Sequence, residues 1–349
     1  MDLSEYKGKK VAVGLSGGVD SAVVALLLKK AGANVNGFTM NIGKDRCSIK
    51  DAKYIAKILD IPLTIIDMKY IFENEVIDYF VDESWGGRTP NPCVLCNMKL
   101  KFGALMNFAL KNNDFYATGH YAIKKWDKKL KQWLVYRPKD IPKDQSSVLS
   151  MLKQNQLAKS IFPLGDMIKK EIKKIAKENN LIISGKRESQ DLCFLNEDKG
   201  DFIEKWSKRK AKKGKIQNTK GDIIGTHNGY IRYPIGQRKG LGLTGPNSFY
   251  VKSIDTKNNI LTAGTRDELK TQEFYVSAVN WVAFEELTKP ISVEVIVRNK
   301  QTPHKAHIYP TDKCNTIKVV SEEPIFAVSP GQLAIFFKKD LILGGGWIE

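Results

Sequence analysis

Short apolar runs alternate with stretches of helical spacing through the first 120 residues. "KKVAVGLS" (9–16) predicts a buried strand, and "SAVVALLLKKAG" (21–32) a helix that ends at Gly32. "ANVNGFTM" (33–40) predicts a second strand. "SIKDAKYIAKILD" (48–60) has helical periodicity, "IPLTIID" (61–67) reads as a strand, and "DFYATGH" (114–120) ends another. Such alternation predicts an α/β fold with a doubly wound parallel sheet, which binds ligands at the carboxyl ends of its strands. The helical stretch 166–180 extends the same unit. Beyond residue 205 glycines multiply and short β-like segments follow, "ISVEVIV" (291–297), "NTIKVV" (315–320) and "QLAIFF" (332–337) among them. The expected division is a nucleotide-binding catalytic domain over 1–205, a central β-rich domain over 206–275, and a C-terminal β-barrel over 276–349.

Charge adds a partner. Lys and Arg number 56 against 38 Asp and Glu, a net charge of +18, with a pI near 9.5, so a polyanion such as nucleic acid is expected. "KWSKRKAKKGK" (205–215) and "KKWDKKLKQW" (124–133) interleave lysines with tryptophans. Lysines neutralise phosphates and an indole can stack on an unpaired base; either run can equally be a solvated loop. The N-terminal residues have no apolar core of a signal peptide, so a cytoplasmic protein is expected.

Candidate chemistry begins at "GLSGGVDS" (14–21), between the first strand and the first helix. Gly17 and Gly18 permit positive φ and close approach of backbone N–H groups to phosphates. The helix N-terminus adds partial positive charge, Ser16 and Ser21 add hydroxyl donors, and Asp20 can cap the helix or help hold Mg2+. No Gly-Lys-Ser/Thr ending is present, which excludes the loop of kinase-like NTPases. The stretch resembles the signature of the ATP pyrophosphatase (PP-loop) superfamily, whose members join AMP to a carbonyl oxygen.

Two cysteines, Cys93 and Cys96, sit in "NPCVLCN", and Cys193 in "SQDLCFL". A zinc ribbon needs a second pair, and none is present. Taken together, "SGGVDS", "GRTPNPCVLCN", "TGHYA", "KDQS", "FPLGD", "SQDLCF", "IGQRKGLG" and "PGQ" run in order along almost the whole chain. In this the chain resembles the tRNA-specific 2-thiouridylase (MnmA type) family.

That resemblance implies conversion of the wobble uridine (position 34) of Lys-, Glu- and Gln-type tRNAs to 2-thiouridine, with ATP and Mg2+. It implies Cys193 as the persulfide carrier, charged by a cysteine desulfurase or sulfur-relay protein, and Cys96 as the partner thiol in a transient Cys96–Cys193 disulfide. ATP would be held by Gly14, Leu15, Ser16, Gly17, Gly18, Val19, Asp20, Ser21, Met40 and Gly119, and the target base by Asn91, Pro92 and Cys93. tRNA would be met by His120, Lys143, Asp144, Gln145, Ser146, Arg298, Asn299 and Gln332, and a basic turn at Gly236–Gly240 would meet phosphate. Many relatives carry Asp where this chain has Cys93. Cys93, Cys96 and Cys193 therefore offer three thiolates, enough to ligate a 4Fe–4S cluster with one open iron. Persulfide and cluster chemistry both stay open at this point. "PIGQRKG" has Pro234 where Thr is common. Two other classes are a PP-loop ligase of a small metabolite and a non-catalytic, metal-stabilised RNA-binding protein; the basic tract and the three cysteines fit the first poorly, and the second leaves the nucleotide loop without a purpose.

Overall fold

The computed structural model describes residues 2–43, 49–181, 192–243, 248–298 and 301–349. Strands β1 (Lys10–Gly14), β2 (Asn34–Asn41), β3 (Leu63–Asp67) and β4 (Phe115–Ala117) open the chain. β5 (Ile123–Asp127) and β6 (Gln132–Tyr136) form a hairpin, and β7 (Ser160–Ile161) follows. A parallel sheet has the order β3-β2-β1-β4-β7. Val11, Ala12 and Val13 are fully buried because both faces of β1 are covered, which is why that strand is apolar at every position. Helix α1 (Val19–Lys30) packs on one face, its Leu28 sharing a core with Tyr6 and Ile172. The strand order reverses between β1 and β4, so a crevice opens at their carboxyl ends.

β8 (Gly214–Gln217), β9 (Ile223–His227), β10 (Tyr250–Asp255) and β11 (Ile260–Gly264) form a small second sheet. β12 (Lys270–Trp281), β13 (Ile291–Ile296), β14 (His304–Pro310), β15 (Ile317–Phe326), β16 (Leu333–Lys338) and β17 (Leu341–Ile348) form the third. Pairing of β12 with both β15 and β17 closes these six into a barrel. The fold is thus α/β followed by two β-rich units, as the pattern predicts.

Two boundaries differ from the expected division. β12 runs unbroken across residue 276, so the barrel begins at Lys270. The β5–β6 hairpin, inside the first 205 residues, joins the barrel sheet where Tyr136 pairs with Leu341. The main hydrophobic core likewise crosses over, uniting Phe80, Phe102 and Phe162 with Leu333, Phe337 and Ile342 of the barrel.

Candidate active site

The nucleotide loop is built at the sheet's reversal point. Tyr116 on β4 fills the space behind Gly14, where a Cβ would lie 2.7 Å from its Oη. Leu15 turns inward, and Gly17 has φ +72°. Ser21 Oγ accepts the Ser16 N–H at 3.2 Å and donates to the Gly18 carbonyl at 3.0 Å, so the loop is knitted to the first turn of α1. Gly18 caps α1 without any side-chain bond, which corrects the reading of Asp20 as the cap. The Asp20 carboxylate instead receives Lys169 Nζ at 2.8 Å on both oxygens and the Tyr121 hydroxyl at 2.7 Å. Gly119 lies against the helix start: a Cβ there would be 3.0 Å from Ser21 N. Met40, near the end of β2, packs on the main core beside the same edge.

The cysteine turn hangs from the barrel. Thr89 N–H donates to the Pro330 carbonyl at 2.8 Å, and Gln332 Nε2 donates to the carbonyls of Thr89 (2.8 Å) and Pro90 (3.4 Å). Gly331, at φ +88°, lets the two segments approach; a Cβ there would sit 3.1 Å from Thr89 O. Asn91 then takes the N-cap position of a short helix, Pro92–Leu95, which carries Cys93 and ends at Cys96 one turn on. Asn97 Nδ2 donates to the Cys93 carbonyl at 2.8 Å. From Cys96 to Leu105 the chain is wound as a π-helix, a rare form that recurs at functional sites.

Cys193 is placed by its neighbour. Phe194 is buried against Phe72, Phe80 and Phe202, with ring centroids 5.3–5.9 Å apart, leaving the Cys193 side chain exposed. Desolvation pushes the Cys93 thiol up; Lys101 opposes that, and the neighbouring Cys193 adds to it, so the two thiols share one electrostatic field. Burial also pushes the Tyr116 hydroxyl up, with Cys96 contributing. Tyr116 therefore touches the nucleotide loop at Gly14 on one side and feels Cys96 on another. The thiols of Cys93, Cys96 and Cys193 suit a cluster in kind. Among the described residues, however, no three Cys, His, Asp or Glu side chains converge as a metal site.

The residues expected at the RNA divide. Lys143 is half-buried and Gln145 exposed, whereas Asp144 turns inward to Arg137 (2.7 Å) and accepts the Ser146 hydroxyl at 2.5 Å. Arg298 is spent at a joint, donating to the Ile235 carbonyl at 2.8 Å and Ser329 Oγ at 2.7 Å, against Gly236. Asn299 lies outside the described residues, as does Cys47. Trp206 stacks on Phe202 and donates to Asp78 at 2.7 Å, which takes its ring away from base stacking. In the other basic run Lys124 is buried over Trp133, while Trp126 stays 46% exposed.

His120 is buried between Phe102 and Phe162, with Nδ1 2.8 Å from Thr118 Oγ1. At 6% exposure it offers tRNA no surface in this conformation, unlike the expected RNA contact. Desolvation, helped by Lys101, pushes its pKa well below the ordinary value, so the ring stays neutral. The unfolded chain takes up a proton near pH 6.5 and the native state does not, so stability is lost as pH falls through 6.5. The expected loss is about 1.4 kcal/mol per pH unit until the native value is reached. Thermal melts between pH 7 and 5 should show this slope in the native protein and a flatter one in His120→Phe.

Sequence reasoning missed the Pro330–Gln332 clamp, since its partners lie 240 positions away. Gln332→Ala removes the clamp's side-chain bonds and leaves the Thr89–Pro330 backbone bond. We expect turnover to fall about tenfold, a lost constraint of ~1.4 kcal/mol, with tRNA affinity within threefold. A filter-binding titration run beside the activity assay separates this from direct RNA contact, which would weaken binding instead.

Family models match three consecutive segments: a tRNA methyl transferase HUP domain over 9–197, a tRNA methyl transferase PRC-barrel domain over 200–265, and an aminomethyltransferase β-barrel domain over 271–348. The tRNA-specific 2-thiouridylase MnmA 2 of Thermoanaerobacter sp. (strain X514) is 41% identical, over 97% of this chain and 98% of that protein. The tRNA-specific 2-thiouridylase MnmA of Acetivibrio thermocellus is 39% identical, over 98% of this chain and 99% of that one. A solved structure, the U34-tRNA thiolase NcsA from Methanococcus maripaludis with its [4Fe-4S] cluster, is 24% identical at a TM-score of 0.36, covering 57% of this chain and 67% of its own. The chain belongs to the tRNA-specific 2-thiouridylase family.

Proposed function

We propose that this enzyme, a tRNA-uridine 2-sulfurtransferase, replaces the O2 of the wobble uridine of Lys-, Glu- and Gln-type tRNAs with sulfur. The uracil O2 attacks the α-phosphorus of ATP held on the β1–α1 loop; pyrophosphate leaves and N3 loses its proton. The outer sulfur of a Cys193 persulfide then attacks C2, and AMP leaves. The Cys96 thiolate attacks the Cys193 sulfur, forming a Cys96–Cys193 disulfide and releasing the 2-thiouridine anion, whose N3 takes a proton back from water. A cysteine desulfurase or relay protein reloads Cys193 once an external thiol has reduced that disulfide. Backbone N–H groups and the start of α1 stabilise the phosphates, and Mg2+ accompanies ATP.

The observation that carries this reading is Tyr116, which bridges the two halves of the chemistry by contacting Gly14 while sensing Cys96. This supports activation and sulfur delivery in one crevice. Among the described residues no helix is long and apolar enough to cross a membrane, which suits a cytoplasmic enzyme on tRNA.

The test is a reconstitution with ATP, Mg2+, an unmodified tRNA transcript and a persulfide donor, using enzyme stripped of metal with a chelator. Nucleoside mass spectrometry should find 2-thiouridine in step with pyrophosphate. Pyrophosphate without thiolation, restored by iron and sulfide, moves sulfur delivery to a cluster. Neither product under either condition sinks the proposal.

A further inference from the structure

Two buried polar atoms beside the cysteine turn have no hydrogen-bond partner: Thr89 Oγ1 and Asn97 Oδ1. A third, Arg88 Nε, lies 2.6 Å from Glu83 Oε2 and is met by its charge. Asn97 is only 4% exposed. Its Nδ2 is committed to the Cys93 carbonyl, and a flipped amide would set oxygen against oxygen there. The orphan is therefore an acceptor, fixed one helical turn from Cys93 and adjacent to Cys96. Gln132, Asn259 and Gln301 also carry orphaned amide oxygens, but of the four only that of Asn97 stands beside the cysteine turn, where a ligand's donor would complete it.

The donor's chemistry follows from the target base, and here the inference rests on the proposed function. Along its pairing edge uracil presents one N–H, at N3, between two carbonyls. O2 must stay free to attack ATP, so the base can be gripped at N3 and O4. Cytosine has a bare N3 and an amino group instead. We propose that Asn97 is a specificity-determining residue whose Oδ1 accepts the N3–H of the target uracil, leaving O2 free and rejecting cytidine. Thr89 Oγ1, unpartnered on the segment the barrel clamps, is the hydroxyl suited to donate to O4.

Anticodon stem-loops carrying uridine, 3-methyluridine or cytidine at position 34 provide the test, read as dissociation constants. The native enzyme should bind the uridine form at least tenfold tighter than either other. Asn97→Ala should bring both ratios under threefold while its melting curve stays cooperative. Should that variant not fold, Asn97→Asp keeps an acceptor and should keep the preference for uridine. Native enzyme that ignores the 3-methyl group, an alanine variant that still discriminates, or an aspartate variant that does not, each overturns the assignment. Thiolation of the uridine substrate by native enzyme is measured in parallel; its absence counts against the proposed reaction, whereas the binding ratios judge Asn97.

Discussion

Cys193→Ser is expected to abolish thiolation, by about a thousandfold or more, because a serine oxygen carries no transferable sulfur. The loss should be confined to one step. Cys193 sits exposed beside Cys93, and its neighbour Phe194 stays packed on Phe80 when one sulfur becomes oxygen. tRNA affinity should stay within about threefold, or ~0.6 kcal/mol. Pyrophosphate release should persist, since in the proposed sequence activation precedes sulfur transfer. Cys96→Ser differs in a diagnostic way: sulfur reaches C2, but nothing cleaves the bond to Cys193, so enzyme and RNA should be trapped as a thiol-reversible adduct visible on a denaturing gel. Cys314→Ser, in the distant barrel, should leave all of these unchanged. A Cys193→Ser enzyme that still makes 2-thiouridine at the native rate removes that residue from the chemistry.

The residues that announce themselves in the sequence are those whose physics is local. Val11–Val13 are apolar at every position because a central parallel strand has no wet face, and the glycines of 14–18 mark a loop that must approach phosphate. The order of motifs then points to the family. What stayed hidden depends on distance. Gln332 reads as an RNA contact until the barrel brings it onto Thr89 and Pro90. Lys124 and Trp206 read as part of basic, base-stacking runs, yet a lysine stem can lie along an indole and leave only its neighbours in water. Arg298 joins Ile235 to Ser329, and no spacing rule foretells a cation used as a joint. The π-helix that follows Cys96 has no periodicity of its own in the side chains, so a hydrogen-bond shift of one residue leaves no trace in the pattern.

Gly119→Ala should disable the first half-reaction. The new Cβ would stand 3.0 Å from Ser21 N and 3.1 Å from Asp20 Cβ, and the first of these is backbone that cannot rotate away. The loop after β4 and the start of α1 must therefore separate, at about 1–3 kcal/mol of overpacking. Two residues on, Tyr121 donates to the Asp20 carboxylate that Lys169 also grips, so the shift is carried into the contacts that orient the nucleotide loop. A misplacement of this order costs roughly a hundredfold in rate when reacting atoms must be aligned. Pyrophosphate release should fall by that factor, and nucleotide binding should weaken with it. tRNA binding should hold within threefold, because the RNA-facing surfaces do not depend on this contact. Turnover within threefold of the native enzyme would place ATP elsewhere than against the β4–α1 junction.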